Sequence, residues 1–153
     1  MLTNDDISNE IPSNLNTVLS LNQKMFNRSA LKFLFINRET VKDYDFVDDI
    51  DVFNRLIGLE YDLNSINNVW NGRFFTYNSF SPAKNENGFS GGVRIKKETR
   101  EQEISFEYSY LGDDFRSDLG ILRRVGISKF CPYYAYKIYP KNRKINFLRF
   151  AYY

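Results

Sequence analysis

The chain contains no histidine among its 153 residues. Histidine is the base of Ser-His-Asp triads and Cys-His dyads and a common zinc ligand, so these catalytic and metal sites are excluded. Cys131 is the single thiol, and without a histidine it lacks the usual activating base. We therefore interpret Cys131 as a buried, inert thiol rather than as a nucleophile.

Carboxylates could hold a hard cation or serve a hydrolase without histidine. The run from Asp45 to Asp51 is dense in aspartate, but it lacks the glycine and the terminal glutamate of a calcium loop. The glycine-rich stretch at 88–92 lacks the Gly-Lys-Ser/Thr of a phosphate-binding loop. The sequence therefore predicts no metal, no cofactor and no catalytic residue, and a metal-dependent hydrolase is the weakest hypothesis.

Charge divides the chain into two halves, with a net charge of −4 over residues 1–83 and +6 over residues 84–153. The last 25 residues contain lysine, arginine and many aromatics but no acidic residue. Basic side chains neutralise phosphates and exposed aromatics stack on bases, so this pattern indicates a nucleic-acid or partner surface. The predicted contact residues are Arg123, Arg124, Tyr133, Lys137, Tyr139, Lys141, Arg143 and Lys144. A hairpin that buries one aromatic face and solvates the other explains the same residues without any ligand.

An acidic region provides an alternative surface. Eight carboxylates fall between Glu39 and Asp62, and a dense acidic face can imitate phosphates in the basic cleft of another protein. The alternative partner-binding residues are Asp45, Asp48, Asp49 and Asp51. Ordinary helix capping is the simpler explanation of the same carboxylates.

In the first half of the chain, residues 1–12 are polar and are predicted to form a flexible lead-in. Apolar spacing then predicts a helix near 14–26 and a buried strand over 30–36. Asp48 or Asp49 is expected to cap a second helix, with Ile50, Phe53 and Ile57 inward and Gly58 at its end. Asn71-Gly72 suggests a hairpin with strands near 66–70 and 73–80, whereas Trp70 also fits a helical face.

The second half has clearer patterns. Residues 81–92 are predicted to form a loop, and alternation predicts an antiparallel hairpin of 93–97 with 103–110. Asp113 or Asp114 is expected to cap a helix with Phe115, Leu119, Leu122 and Val125 inward. Two further strands are predicted over 127–139 and 145–152.

These elements predict one α+β domain over residues 13–153. An N-terminal helix-strand-helix lead is followed by antiparallel hairpins that flank a helix, in the order β-β-α-β-β. The amino terminus lacks a signal-peptide pattern, and no apolar run reaches the ~20 residues of a spanning helix. We therefore expect a cytoplasmic protein that does not contact a membrane.

The function expected from the sequence is binding without catalysis. The leading hypothesis is an accessory or inhibitor protein, of phage or plasmid origin, that engages a nucleic-acid-processing complex. The alternative is a module that binds RNA or single-stranded DNA through the basic, aromatic C-terminal hairpin. In either case the partner is a macromolecule, and the sequence does not determine the oligomeric state.

Overall fold

The computed structural model describes residues 1–48, 51–82, 88–120, 124–141 and 146–153. These residues form one antiparallel sheet in which each strand pairs with the next one along the chain. The strands are β1 Asn14–Met25, β2 Ser29–Thr40, β3 Phe53–Asn64, β4 Trp70–Phe80, β5 Gly88–Glu98, β6 Gln102–Leu111, β7 Ile127–Ile138 and β8 Leu148–Tyr152.

The predicted α+β fold is wrong, because the described residues contain no α-helix, and their one complete 3-10 turn spans only Ile7–Asn9. The segment predicted as the first helix is β1, and Phe53 and Ile57 of the second predicted helix lie in β3, while Ile50 lies outside the described residues. Both segments also carry apolar residues at every second position, such as Leu19 and Leu21 in β1. Both segments pair with β2, β1 along one edge and β3 along the other, and this pairing selects the period-two pattern over the helical one.

The third predicted helix is also absent from the described residues. Residues 112–120 form turns and irregular backbone, and residues 121–123 lie outside the described part of the chain. The hairpin turn is not at Asn71-Gly72, because both residues lie within β4 and the turn occupies Ser65–Val69. The predicted loop over 81–92 ends earlier than expected, since β5 begins at Gly88.

Several strand predictions are confirmed. The strand predicted over 30–36 lies within β2, and the pairing of 93–97 with 103–110 is that of β5 with β6. The strands predicted over 127–139 and 145–152 correspond to β7 and β8, which pair antiparallel. Strict alternation identified the pairing of 93–97 with 103–110, whereas a nearly continuous apolar run identified the strand at 30–36.

The sheet has two chemically different sides, because neighbouring residues in a strand point to opposite faces and directly paired residues share one. We call one side the apolar face. It carries Leu19, Leu21, Leu31, Phe33, Phe35, Ile57, Leu59, Phe74, Val93, Ile95, Phe106, Tyr108 and Phe130. We call the other side the polar face. It carries Lys32, Arg38, Glu60, Asp62, Arg73, Arg94, Lys96, Glu98, Glu103, Glu107, Lys129, Lys137 and Arg149.

In β6 the burial of side chains is the reverse of what their polarity predicts. In β6 the apolar residues Ile104, Phe106, Tyr108 and Tyr110 are each 40–43% exposed, whereas the side chain of Glu103 on the polar face is only 12% exposed. Among the described residues, only Leu56, Phe115 and Ala135 are buried hydrophobics. On the polar face the glutamates are therefore largely covered while cations such as Arg94 and Lys129 stay exposed, and the apolar face is uncovered.

The accessible surface of the described protein measures this exposure. It is 11079 Å², whereas a globular monomer of the same mass exposes about 8,100 Å². A single sheet without a second layer on its apolar face contributes to this excess of about 3,000 Å². None of the described segments is a helix with the length and hydropathy needed to cross a membrane.

Candidate interaction surfaces of the sheet

The polar face is organised by ion pairs that run across the strands. Glu103 in β6 is the centre of one cluster, with Lys96 at 3.0 Å, Lys137 at 3.7 Å and Arg149 at 2.9 Å. Glu98 joins the same cluster through Lys96 and Lys137. One carboxylate thus contacts cations from β5, β7 and β8, and it ties four strands together on this face.

Two more carboxylates continue the pattern. Glu107 binds Arg94 and Lys129 on the two strands beside β6. Glu60 in β3 binds Arg73 at 2.7 Å and also contacts the Tyr77 hydroxyl, while Lys32 reaches Asp62. The ion pairs therefore extend over most of the width of the polar face.

These contacts shift the ionisation of the carboxylates. Hydrogen bonds from Lys96 and then Lys137 lower the pKa of Glu98 below its usual 4.5. Hydrogen bonds from Lys129 and then Arg94 lower the pKa of Glu107 in the same direction. Both glutamates are therefore held in the charged form, with their cations already engaged.

Acid is expected to weaken the sheet through these carboxylates. A pKa that is lower in the folded state means that the unfolded chain binds more protons, so stability falls as pH drops below about 4.5. We expect the thermal midpoint of Glu107→Gln to depend less on pH than that of the native chain between about pH 6 and pH 3. Parallel profiles for the two chains would contradict this assignment.

The segment at 112–120 lies over one end of the polar face. Asn54 is 2% exposed, and its amide group donates to the Arg116 carbonyl and accepts from the Asp118 amide. Asp118 also binds Arg38 at 2.6 Å, and Arg116 binds both Asp118 and Asp51. An open cleft of about 410 Å³ adjoins this cluster, lined in part by Arg38, Asp51, Arg116 and Asp118.

The predicted basic surface does not form one patch among the described residues. Lys137 is paired on the polar face, and Tyr133 on the same face packs beside Arg149. Tyr139 follows β7 and lies under Arg100 and against Phe147. Arg124 and Lys141 are exposed outside the strands. Arg123, Arg143 and Lys144 lie outside the described residues.

The predicted acidic surface is also divided. Asp45 and Asp48 are exposed in the segment before β3, whereas Asp51 faces Arg116. Asp49 lies outside the described residues. The part of the chain that the structure describes contains no group of three or more residues placed to hold a metal ion. Cys131, expected to be buried, is exposed at the protein surface.

The two ends of the apolar face have their own chemistry. Toward one end lies a continuous row across five strands, formed by Trp70, Lys97, Ile104, Tyr134 and Tyr152. We call it the aromatic end row, and in it the Lys97 ammonium lies 5.7 Å from the Trp70 ring centroid. Beyond this row the same face continues in β7 and β8 with Tyr136, Ile138, Phe150 and Leu148.

The opposite end of the apolar face carries an ion pair. Arg55 is paired with Glu39 at 3.5 Å and lies over the Phe53 ring. Between these two ends the apolar face has no lysine, arginine, aspartate or glutamate among its described strand positions.

Sequence analysis missed the apolar face as a surface. A signal was present, because Leu19 and Leu21 in β1 and Ile57, Leu59 and Tyr61 in β3 share one parity. A helical interpretation of both segments hid that alternation.

Comparison with protein families finds a family that matches the chain. Residues 3–153 match the family described as a domain of unknown function, DUF5916. The chain belongs to this family. The match covers all eight strands, so both faces of the sheet lie within the family's domain. No curated protein and no solved structure matches the chain.

Proposed function

We propose that this DUF5916 chain is a non-enzymatic binding protein and that the apolar face of its sheet is the contact surface. The observation that carries the proposal is the reversed burial in β6, where Phe106 is 40% exposed and Glu103 is 12% exposed. Monomeric proteins rarely expose apolar patches beyond a few hundred Å², and larger patches mark interaction sites. This surface is therefore expected to be covered when the protein works.

The ion pairs of the polar face support this choice of side. Lys129, Lys137 and Arg149 are each engaged by a glutamate, so binding a phosphate there requires breaking an existing pair. The accessory, inhibitor and nucleic-acid hypotheses remain predictions, with less support from the described geometry than an apolar partner has.

Labelling with a small photoreactive apolar diazirine tests the proposed surface. The chain is photolysed in buffer without lipid, and insertion is mapped by mass spectrometry. We expect insertion at Ile104, Phe106, Tyr108 and Tyr110 to exceed insertion at the intervening positions of β6, because only the former lie on the exposed apolar face.

A doubly substituted chain provides the control. Phe106→Ser with Phe130→Ser removes two contacting rings of the apolar face, whose centroids are 5.3 Å apart, and should reduce labelling around them. Circular dichroism checks that the sheet is retained. If the chain keeps its sheet but labelling does not alternate along β6, the apolar face is rejected as the contact surface.

A further inference from the structure

We propose that the partner of the apolar face is the hydrocarbon of a phospholipid bilayer. This inference rests on the proposed function and names its ligand. It contradicts the sequence-based expectation of no membrane contact. That expectation rested on the lack of a continuous apolar run. An alternating strand never produces such a run, even when one of its faces is entirely apolar.

The height of the uncharged zone fits this partner. Trp70 belongs to the aromatic end row, and Phe80 pairs with Arg55 at the charged opposite end. The two residues are ten positions apart in β4. An inclined strand needs about 9–11 residues to cross the hydrocarbon layer of a bilayer. The charges at the two ends are thus separated by the distance between two headgroup regions.

The chemistry of the aromatic end row points the same way. Trp70, Tyr134 and Tyr152 are amphipathic rings with a polar atom at one end, and Lys97 combines an apolar stem with a charged head. Such side chains concentrate at the boundary between hydrocarbon and water, where both of their parts are solvated. In β4 and β5 the row ends the apolar face with residues suited to that boundary.

The area to be covered favours lipid over a second copy of the chain. The accessible surface exceeds that of a globular monomer by about 3,000 Å², whereas each partner buries about 800 Å² in a standard interface and about 1,000–2,500 Å² in an obligate one. A fluid hydrocarbon phase can cover every exposed side chain of this face.

The polar face meets the corresponding requirement that charged side chains lie away from hydrocarbon. Its charges in β2 to β8 are paired, and the side chains of Glu103 and Glu60, and of Asp118 above the face, are only 12–13% exposed. A sheet with one face in hydrocarbon needs its charges on the other face, where ion pairs and water can satisfy them.

Trp70, the single tryptophan, allows a direct test. The full chain is folded with vesicles of dioleoylphosphatidylcholine or of the same lipid brominated on its acyl chains, and Trp70 fluorescence is measured. We expect quenching by the brominated lipid, and more by bromine near the headgroup than by bromine near the chain end, because Trp70 lies in the aromatic end row.

Matched variants distinguish contact of the apolar face with lipid from non-specific adsorption to vesicles. Phe106→Arg places a charge on the apolar face and is expected to weaken partition into vesicles by about 10-fold or more. Ser105→Arg places the same charge one position away on the polar face, between Glu103 and Glu107, and should leave partition within about 3-fold of the native value.

The edges of the sheet provide a second readout. Residues 1–3 cover only the beginning of the outer edge of β1, and β8 pairs with only five residues of β7. Free backbone groups are not tolerated in hydrocarbon, so in vesicles these edges must find partners. We expect the amide hydrogens of β1 and β8 to exchange more slowly in vesicles than in buffer.

Each outcome decides the proposal. Absence of quenching by brominated lipid in a chain that retains its sheet would overturn it, as would equal partition of the Phe106→Arg and Ser105→Arg chains. If diazirine still labels the alternate residues of β6 in that case, the apolar face remains a contact surface and only its lipid partner is rejected. A discrete dimer in lipid-free buffer with Trp70 shielded from quenchers would assign the face to a second copy.

Discussion

Glu103→Gln is expected to lower the free energy of unfolding by about 2 kcal/mol, because it removes the carboxylate shared by three cations. Lys96, Lys137 and Arg149 all contact Glu103, whose side chain is 12% exposed. Glutamine keeps the size of the side chain but not its charge. The estimate is below the value for a fully buried pair, because Arg149 is 45% exposed and Glu98 remains beside Lys96 and Lys137. Urea unfolding followed by circular dichroism measures the change.

Glu101→Gln is the matched control for this substitution. It makes the same change of charge in the turn between β5 and β6, where the Glu101 side chain is exposed and forms no ion pair with any residue that the structure describes. We expect its unfolding free energy to stay within about 0.5 kcal/mol of the native value. If the two variants were equally stable, the ion pairs of the polar face would not stabilise the sheet.

Asn54→Ala is expected to cost about 2–3 kcal/mol, since two backbone groups lose their partner at once. Asn54 is 2% exposed, and its amide pairs with the Arg116 carbonyl and the Asp118 amide. Alanine leaves both groups unpaired over the polar face. Hydrogen exchange should show faster exchange at 116–118 than in the native chain, and urea unfolding gives the loss of stability.

Asn22→Ala separates this local effect from the loss of any asparagine in the sheet. Asn22 lies on the same face in β1, but it is exposed and forms no side-chain hydrogen bond within the described residues. We expect a change of less than about 0.5 kcal/mol and unaltered exchange at 116–118. Equal losses for the two variants would mean that Asn54 does not hold the segment at 112–120 on the sheet.

Local sequence alone determined the strands that have strict alternation. In β6 the sequence Glu103-Ile104-Ser105-Phe106 predicts both the strand and its two faces, and the structure confirms the pairing with β5. The sequence also excluded histidine-based chemistry outright, since composition settles that question without any fold. Each of these inferences depends only on residue type and on the period of a strand.

The helix predictions were wrong where the helical period and the strand period fit the same residues. Leu15 and Leu19 satisfy a helical spacing and a strand spacing together, because positions four apart lie on one side in both structures. Leu21 and Met25, which follow at the same parity, favour the strand, and the pairing with β2 decides for it. The apolar residues Phe53 and Ile57 in β3 were misinterpreted for the same reason.

Only the tertiary structure decided which side of the sheet is enclosed. The sequence predicted that the aromatics of β7 would supply a core and leave Lys137 with Tyr133 outside. In the structure Lys137 binds Glu98, from a strand two places away, while Tyr134 is 39% exposed. Alternation divides a strand into two faces but carries no information on which face other strands and segments will cover. That assignment depends on contacts between residues distant in sequence, such as Asn54 with Asp118, and these exist only once the sheet has formed.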